Sequence, residues 1–426
     1  MAMTAIEKSL ARASSLDSVS PGDVVYPMPD RVLVHDGYIE TFKRQMDELG
    51  VDQVANREKV VFVTDHEVIY LTPRAAARGA AIRAAARSLG VGEFFDVGRG
   101  GLGHIFPMEK GMVLPGQCIM ANDTHCSNFG AIGAIPFSER LFTLSVLVTG
   151  TVWTVVPHTV RVILNGRLAA AVYTRDVGYW LTRELTQGKN PISIDYRYLE
   201  LGGQALEGLS VEALVALCNT PSECGAAGVF IPPSSSTLDW VRARTTLPFT
   251  PLYSDPDAAY EHVLTYDISV LPPQIATPGS PANAVDIGDV VKEPIQHAYI
   301  GSCGSGMYRD LQIAADILRG RKIDNKVRLF ITPGTVDSAV RMASEGLLSI
   351  FEQAGAIVLP AGCGPCAGGN MAPMTENECS ISTAATNHTG RMGPVSARAF
   401  LGSPATVAAS SVTGRITDPR DFLDRS

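Results

Sequence analysis

The sequence predicts an α/β protein with mostly parallel sheets, and three observations carry that expectation. Short runs rich in β-branched residues alternate with helical segments that stop at a glycine, the pattern of strand–helix–strand crossovers. Residues able to do chemistry (His, Asp and Cys) fall just past those strands, where open parallel sheets place their ligand sites. The composition is globular: 426 residues, 46% hydrophobic and 18% charged, with 40 Gly and 27 Pro, which excludes a largely disordered chain or a coiled coil.

Along the chain, the N-terminus, Met1-Ala-Met-Thr-Ala-Ile-Glu-Lys, shows no apolar signal segment. A net charge of −8 without a long basic run argues against a nucleic-acid surface. Residues 59–64 read as a buried strand with Asp65-His66 directly behind it. Thr72-Pro73 offers an N-cap and a first helical residue for an Ala/Arg-rich helix that reaches Leu89 and stops at Gly90. Its arginines, Arg74, Arg78, Arg83 and Arg87, read as a solvated face. Gly98-Arg-Gly-Gly-Leu-Gly103 is a literal G-x-G-x-x-G, but no helix is expected to open there, so a dinucleotide site is rejected. A strand at 117–120 precedes Asp123 and His125. The most apolar stretch, 144–156, is shorter than the ~20 residues of a membrane span. It reads as a buried segment of a cytoplasmic protein. Four prolines within 272–281 read as an interdomain linker.

The last third repeats strand and helix. A strand at 297–301 leads into Ser302-Cys303 and a helix at 308–318. A strand at 327–332 precedes a helix at 335–353, and a strand at 356–359 leads into Gly362-Cys363-Gly-Pro-Cys366. Eight cysteines in a chain without a secretion signal are expected to be reduced. Cys303, Cys363 and Cys366 leave three readings open: an iron–sulfur cluster with one iron lacking a protein ligand, a redox pair, or plain core thiols. Structural zinc wants four ligands, and no second C-x-x-C exists. His66, His104 and His125 lie near acids or glycine turns. A carboxylate fixes a histidine's tautomer and raises its basicity, although a single histidine serves equally as a satisfied core residue.

Together these motifs resemble the aconitase superfamily over essentially the whole chain, closest to the large subunits of the 3-isopropylmalate dehydratase and homoaconitase branch. The resemblance runs from Asp30-Arg31 and His35-Asp36 through Asp65-His66, Gly103-His104, Leu114-Pro-Gly116, Asn122-Asp-Thr-His125 and Gly130-Ala-Ile-Gly-Ala134. It continues with Cys218-Asn219, Glu223-Cys-Gly-Ala226, Ile300-Gly-Ser-Cys303, Gly362-Cys-Gly-Pro-Cys366, Thr389-Gly-Arg391, Ser403-Pro-Ala405 and Val412-Thr-Gly414. It implies three α/β domains, 1–158, 159–280 and 281–426, around a [4Fe–4S] cluster on Cys303, Cys363 and Cys366. It also implies catalytic carboxylate–histidine pairs Asp65/His66, His104/Asp123 and His125/Glu223, with His35, Thr124, Asn219 and Arg391 contacting substrate.

The implied activity is dehydration or isomerisation of a small hydroxy di- or tricarboxylic acid. The chain ends where the family's swivelling domain begins, which implies a small-subunit partner in a heterodimer or heterotetramer, with no nucleic acid and no membrane. The alternatives are a paralogue of the dimethylmalate, citraconate or maleate hydratase type and a non-catalytic aconitase-like binding protein. Two departures stand out. Ala385-Thr386-Asn387 replaces the family's Asn-Arg-Asn, and Gly304-Ser305-Gly306 replaces its Thr-Asn-Ser. Loss of that arginine predicts a substrate other than 3-isopropylmalate or citrate held in the usual manner.

Overall fold

A computed structural model describes residues 2–138 and 142–423. The chain forms two compact units, each assembled from three segments: Met1–Leu164, Asp195–Val211 and Gly225–Tyr266 in the first, and Asn165–Ile194, Glu212–Cys224 and Asp267–Ser426 in the second. Residues 159–280 thus contribute to both. Among the described residues, no helix is long and apolar enough to cross a membrane.

The first unit is organised by a five-stranded sheet of β1 (Arg31–His35), β2 (Val60–Val63), β3 (Glu93–Phe95), β4 (Cys118–Ala121) and β5 (Ile135–Ser138), in the order β3-β2-β1-β4-β5. Every neighbouring pair is parallel. β2 and β4 are buried at every residue, as strands covered on both faces require. Val34, Phe62 and Met120 share their core with Ile39, Phe42, Ile82 and Leu89. The helix Pro73–Leu89 begins where the Thr72 side chain accepts from the Ala75 N–H, and ends at Gly90 with φ +64°. Two of its arginines are engaged, Arg78 by Glu67 at 3.1 Å and Arg83 by Asp96 at 2.5 Å. A second sheet, ordered β8-β7-β6-β9, holds β6 (Thr159–Asn165), β7 (Tyr198–Gly202), β8 (Gly228–Phe230) and β9 (His262–Asp267). It belongs to the first unit but for Asn165 and Asp267.

The second unit holds a seven-stranded sheet ordered β11-β10-β16-β15-β12-β13-β14. Its strands are β10 (Gln274–Ala276), β11 (Ala284–Asp286), β12 (His297–Ile300), β13 (Arg328–Ile331), β14 (Ile357–Val358), β15 (Cys379–Ser382) and β16 (Arg398–Leu401). The run from β14 to β16 is parallel, and β10 is antiparallel to both its neighbours. The parallel part repeats the order of the first sheet: its earliest strand is central, and the chain returns past it after building one side.

Four expectations are corrected. The stretch 272–281 is no linker, because it contains β10, fully buried between β11 and β16. The helix at 335–353 is two helices, Val336–Ser344 and Leu347–Ala354, divided by Gly346 at φ +84°. The apolar stretch 144–156 is not one buried segment. Gly150 at φ +82° closes the helix Thr143–Thr149, and Trp153 and Val155 beyond it are exposed. A four-residue helix, Phe106–Glu109, follows the glycine-rich turn at 98–103; it starts at Phe106 rather than at the glycines.

Candidate functional site

In the first unit the candidate residues collect at the carboxyl ends of β1, β2 and β4, the switch point of the strand order. His35 is the last residue of β1. Its backbone N–H donates to Asn122 Oδ1 at 3.0 Å, and its Nδ1 lies 3.2 and 3.1 Å from the two oxygens of Asp65. Asp65 also holds His66, Nδ1 to Oδ1 at 2.7 Å, and accepts from the Gly103 N–H at 2.8 Å. Asp36 reaches the same His66 Nδ1 at 3.1 Å and accepts the His66 and Glu67 backbone N–H groups. Asp123 accepts from both Nδ1 and the backbone N–H of His125 at 2.9 Å, and stands 3.3 Å from His104 Nε2. The His35 ring stacks on His104 with centroids 4.2 Å apart. The two carboxylate–histidine groups are therefore one continuous cluster. Only glycine fits at Gly103, since a Cβ there would lie 2.5 Å from His35 Cε1.

Burial and charge divide the protons among these groups. Burial alone would push Asp65 up, but His35 and His66 outweigh it and hold the carboxyl well below its usual range. Burial would likewise lower His66, yet Asp65 and Asp36 raise it well above an ordinary histidine. His104 moves the opposite way, lowered by burial and then by His35. Asp123 resists the effect of burial through His125 and His104 and stays ionised. The cluster thus presents one strongly protonated imidazole and one that stays neutral, the separation that acid and base work needs.

In the second unit, Cys303, Cys363 and Cys366 are all buried, past the ends of β12 and β14. All three act on the Tyr299 hydroxyl, which burial and then the thiols raise well above an ordinary tyrosine; the Tyr299 O–H donates to the Cys363 carbonyl at 2.9 Å. Asn219 Nδ2 lies 3.4 Å from Cys303 Sγ, and Arg391 Nε donates to the Cys366 carbonyl at 2.7 Å. The surrounding backbone is glycine-built. A Cβ at Gly364, at φ +59°, would come within 2.9 Å of the Tyr299 hydroxyl. Buried sulfur donors on such glycine-built loops suit an iron–sulfur cluster in donor chemistry.

His35, Asp65, His66, His104, Asp123, Thr124 and His125 lie in the first unit, and Asn219, Glu223, Arg391 and the three cysteines in the second. Within the first unit His125 is held by Asp123, and within the second Glu223 lies 3.6 Å from His388. Thr386 is buried, and among the described residues its hydroxyl has no hydrogen-bond partner. Sequence reasoning missed the participation of Asp36 and passed over Arg175, which is 1% exposed. Its signal in the sequence was an arginine four residues before a tyrosine on one face of a helix, Arg175 and Tyr179.

The aconitase family model (aconitate hydratase) matches residues 9–296 and 289–414. The chain is 37% identical to the 3-isopropylmalate dehydratase large subunit 1 of Methanopyrus kandleri, over 99% of this chain and 100% of that one. It is 34% identical to the 3-isopropylmalate dehydratase large subunit of Halothermothrix orenii and 35% identical to that of Desulfitobacterium hafniense, each with 99% of this chain and 100% of the relative covered. Among solved structures, the holo-form of Thermococcus kodakaraensis aconitase X aligns with a TM-score of 0.48 at 15% identity, over 91% of this chain and 90% of that one.

Proposed function

The chain belongs to the aconitase family, and from that membership we propose that it is the large, cluster-bearing subunit of a cytoplasmic hydro-lyase of the 3-isopropylmalate dehydratase type. The observation that carries this reading is the continuous carboxylate–histidine cluster at the switch point of the first sheet. Full-length likeness to relatives named as large subunits supports both the reaction class and the need for a separate small subunit. The cofactor is a [4Fe–4S] cluster on Cys303, Cys363 and Cys366. When bound, a cluster with one iron lacking a protein ligand supplies a Lewis acid for a substrate hydroxyl and carboxylate.

The chain's own residues do the rest. His66, kept protonated by Asp65 and Asp36, holds a proton on its imidazole for a departing hydroxyl. His104 stays neutral, and Asp123 orients His125 through Nδ1, with proton exchange assigned to Nε2 of that ring. Thr124 offers a hydroxyl and Asn219 an amide to the substrate, and Arg391 a guanidinium to a carboxylate. Thr386 brings a hydroxyl where an arginine would bring a charged fork, so the substrate end it meets is held with less charge.

The test is anaerobic reconstitution with iron and sulfide, followed by assay with and without the cognate small subunit. Turnover of a hydroxy acid related to 3-isopropylmalate is expected only with both subunits, and 3-isopropylmalate itself is expected to be a weaker substrate because of Thr386. Robust turnover by the chain alone removes the partner. Absence of turnover on hydroxy di- and tricarboxylates by the loaded complex removes the function. Thr386→Arg is expected to improve 3-isopropylmalate binding; if it abolishes binding, another cation already serves that end of the pocket.

A further inference from the structure

Arg175 is 1% exposed, the largest of the fully buried side chains, and its hydrogen bonds among the described residues reach no carboxylate. Its donors go instead to neutral acceptors: Nε to Tyr179 Oη at 2.8 Å, Nη1 to Asn219 Oδ1 at 2.8 Å and Thr220 Oγ1 at 3.4 Å, and Nη2 to the Ala384 carbonyl at 2.7 Å. A buried cation with no counter-charge is costly unless something nearby is negative. The buried Asp310 carboxyl feels the charge of Arg175 without a hydrogen bond to it, and the contacts of Nη1 lead through Asn219 to Cys303.

We propose, resting on the cluster reading above, that Arg175 is a positioning residue for the iron–sulfur centre: it fixes the amide of Asn219 so that an N–H faces the Cys303 sulfur, and thereby sets the centre's reduction potential and its hold on iron. Guanidinium nitrogens only donate, so Asn219 must turn its oxygen toward Arg175. That leaves Nδ2 as the group 3.4 Å from Cys303 Sγ. Without the arginine the amide oxygen loses the donor that fixes its direction, and the N–H is no longer held toward sulfur. Hydrogen bonds to cluster sulfurs are among the protein's main controls on potential, and groups that orient a ligand from behind are worth about tenfold or more in metal affinity. The residue after the ligand is built around this relay. A Cβ at Gly304 would stand 2.6 Å from Asn219 Oδ1 and 2.7 Å from Arg175 Cζ. The departure from the family at Gly304 is therefore the seat of the guanidinium.

The experiment compares the reconstituted full chain with Arg175→Lys, Arg175→Met and Asn219→Leu by potentiometric titration of the cluster signal and by iron loss to a chelator. Arg175→Lys keeps the charge and loses the fork. All three variants should lower the potential, with Arg175→Lys between wild type and Arg175→Met, and iron affinity should fall about tenfold or more. The Arg175→Met/Asn219→Leu double variant should go no lower than the deeper single one. A role confined to packing would lower thermal stability and leave the potential in place, which overturns the proposal. A shift in Arg175→Met without one in Arg175→Lys or Asn219→Leu means the charge acts through space, and overturns the relay. If Arg175→Met does not fold, Arg175→Lys and Asn219→Leu decide. A wild-type chain that takes up no iron overturns the proposed function and this inference together, whereas a loaded wild type with unmoved variants overturns the inference alone.

Discussion

At the scale of single residues, side chains and glycines are matched in pairs. Gly103 exists for His35, and Gly103→Ala would push the ring off Asp65 and His104. The expected outcome is a destabilisation of about 1–3 kcal/mol, as for overpacking, and a loss of turnover in the loaded complex that exceeds any loss of bound iron. Unchanged turnover would mean that His35 has no part in the chemistry. Asp176 gives a prediction in pH. Burial lifts its carboxyl to about 7 from an ordinary 3.8, only partly offset by the N–H groups of Gln274 and Tyr173. The folded chain therefore binds that proton more tightly than the unfolded chain, so the contribution is whole below an ordinary carboxyl's range and is lost as pH rises through about 7. Denaturant titrations of Asp176→Asn should show a shallower decline in stability across that window than wild type; parallel curves would place the proton elsewhere. Asp65, His66, Asp123, His125 and the three cysteines were legible as candidates because each follows a readable strand, and His104 because it closes a glycine-rich turn. Arg175 was not, since a buried cation looks like a surface one until its partners, 44 and 209 residues away, are known.

Among the elements, the buried parallel strands were readable from β-branched runs such as Val60–Val63, and the helix Pro73–Leu89 from its cap, its proline and its closing glycine. Thr72→Ala should cost about 1 kcal/mol by removing the acceptor of the Ala75 N–H; thermal denaturation would show it, and no change would mean that Pro73 alone suffices to start the helix. β10 was missed because three residues flanked by Pro272, Pro273 and Pro278 carry almost no pattern. Its strand character comes from β11 and β16 on either side, a tertiary pairing that local sequence does not hold. The division at Gly346 was hidden for the opposite reason. The helical pattern continues through it, and only the backbone's left-handed turn separates the two helices.

For the molecule as a whole, the parallel strands of both units use one order, with the earliest strand at the centre. The switch point of each strand order therefore lies at the end of that strand, next to His35 in one unit and Cys303 in the other. Loading the proposed cluster would be a binding event confined to the folded state, so it should raise the melting temperature. Hydrogen exchange should show new protection at 301–306 and 362–367; loops equally labile with and without iron would count against the cysteine assignment. The way the segments alternate bears on how the protein comes off the ribosome. Segments 165–194 and 212–224 emerge before 225–266, yet they belong to the second unit while the later stretch closes the first. A growing chain that has reached residue 224 thus carries a first unit still lacking β8 and β9, together with two helical pieces whose sheet has not been synthesised. At roughly 5–20 residues per second, those pieces wait many seconds with their apolar faces open. Neither unit corresponds to a continuous stretch of coding sequence, and the wait is the interval in which a chaperone has something to hold.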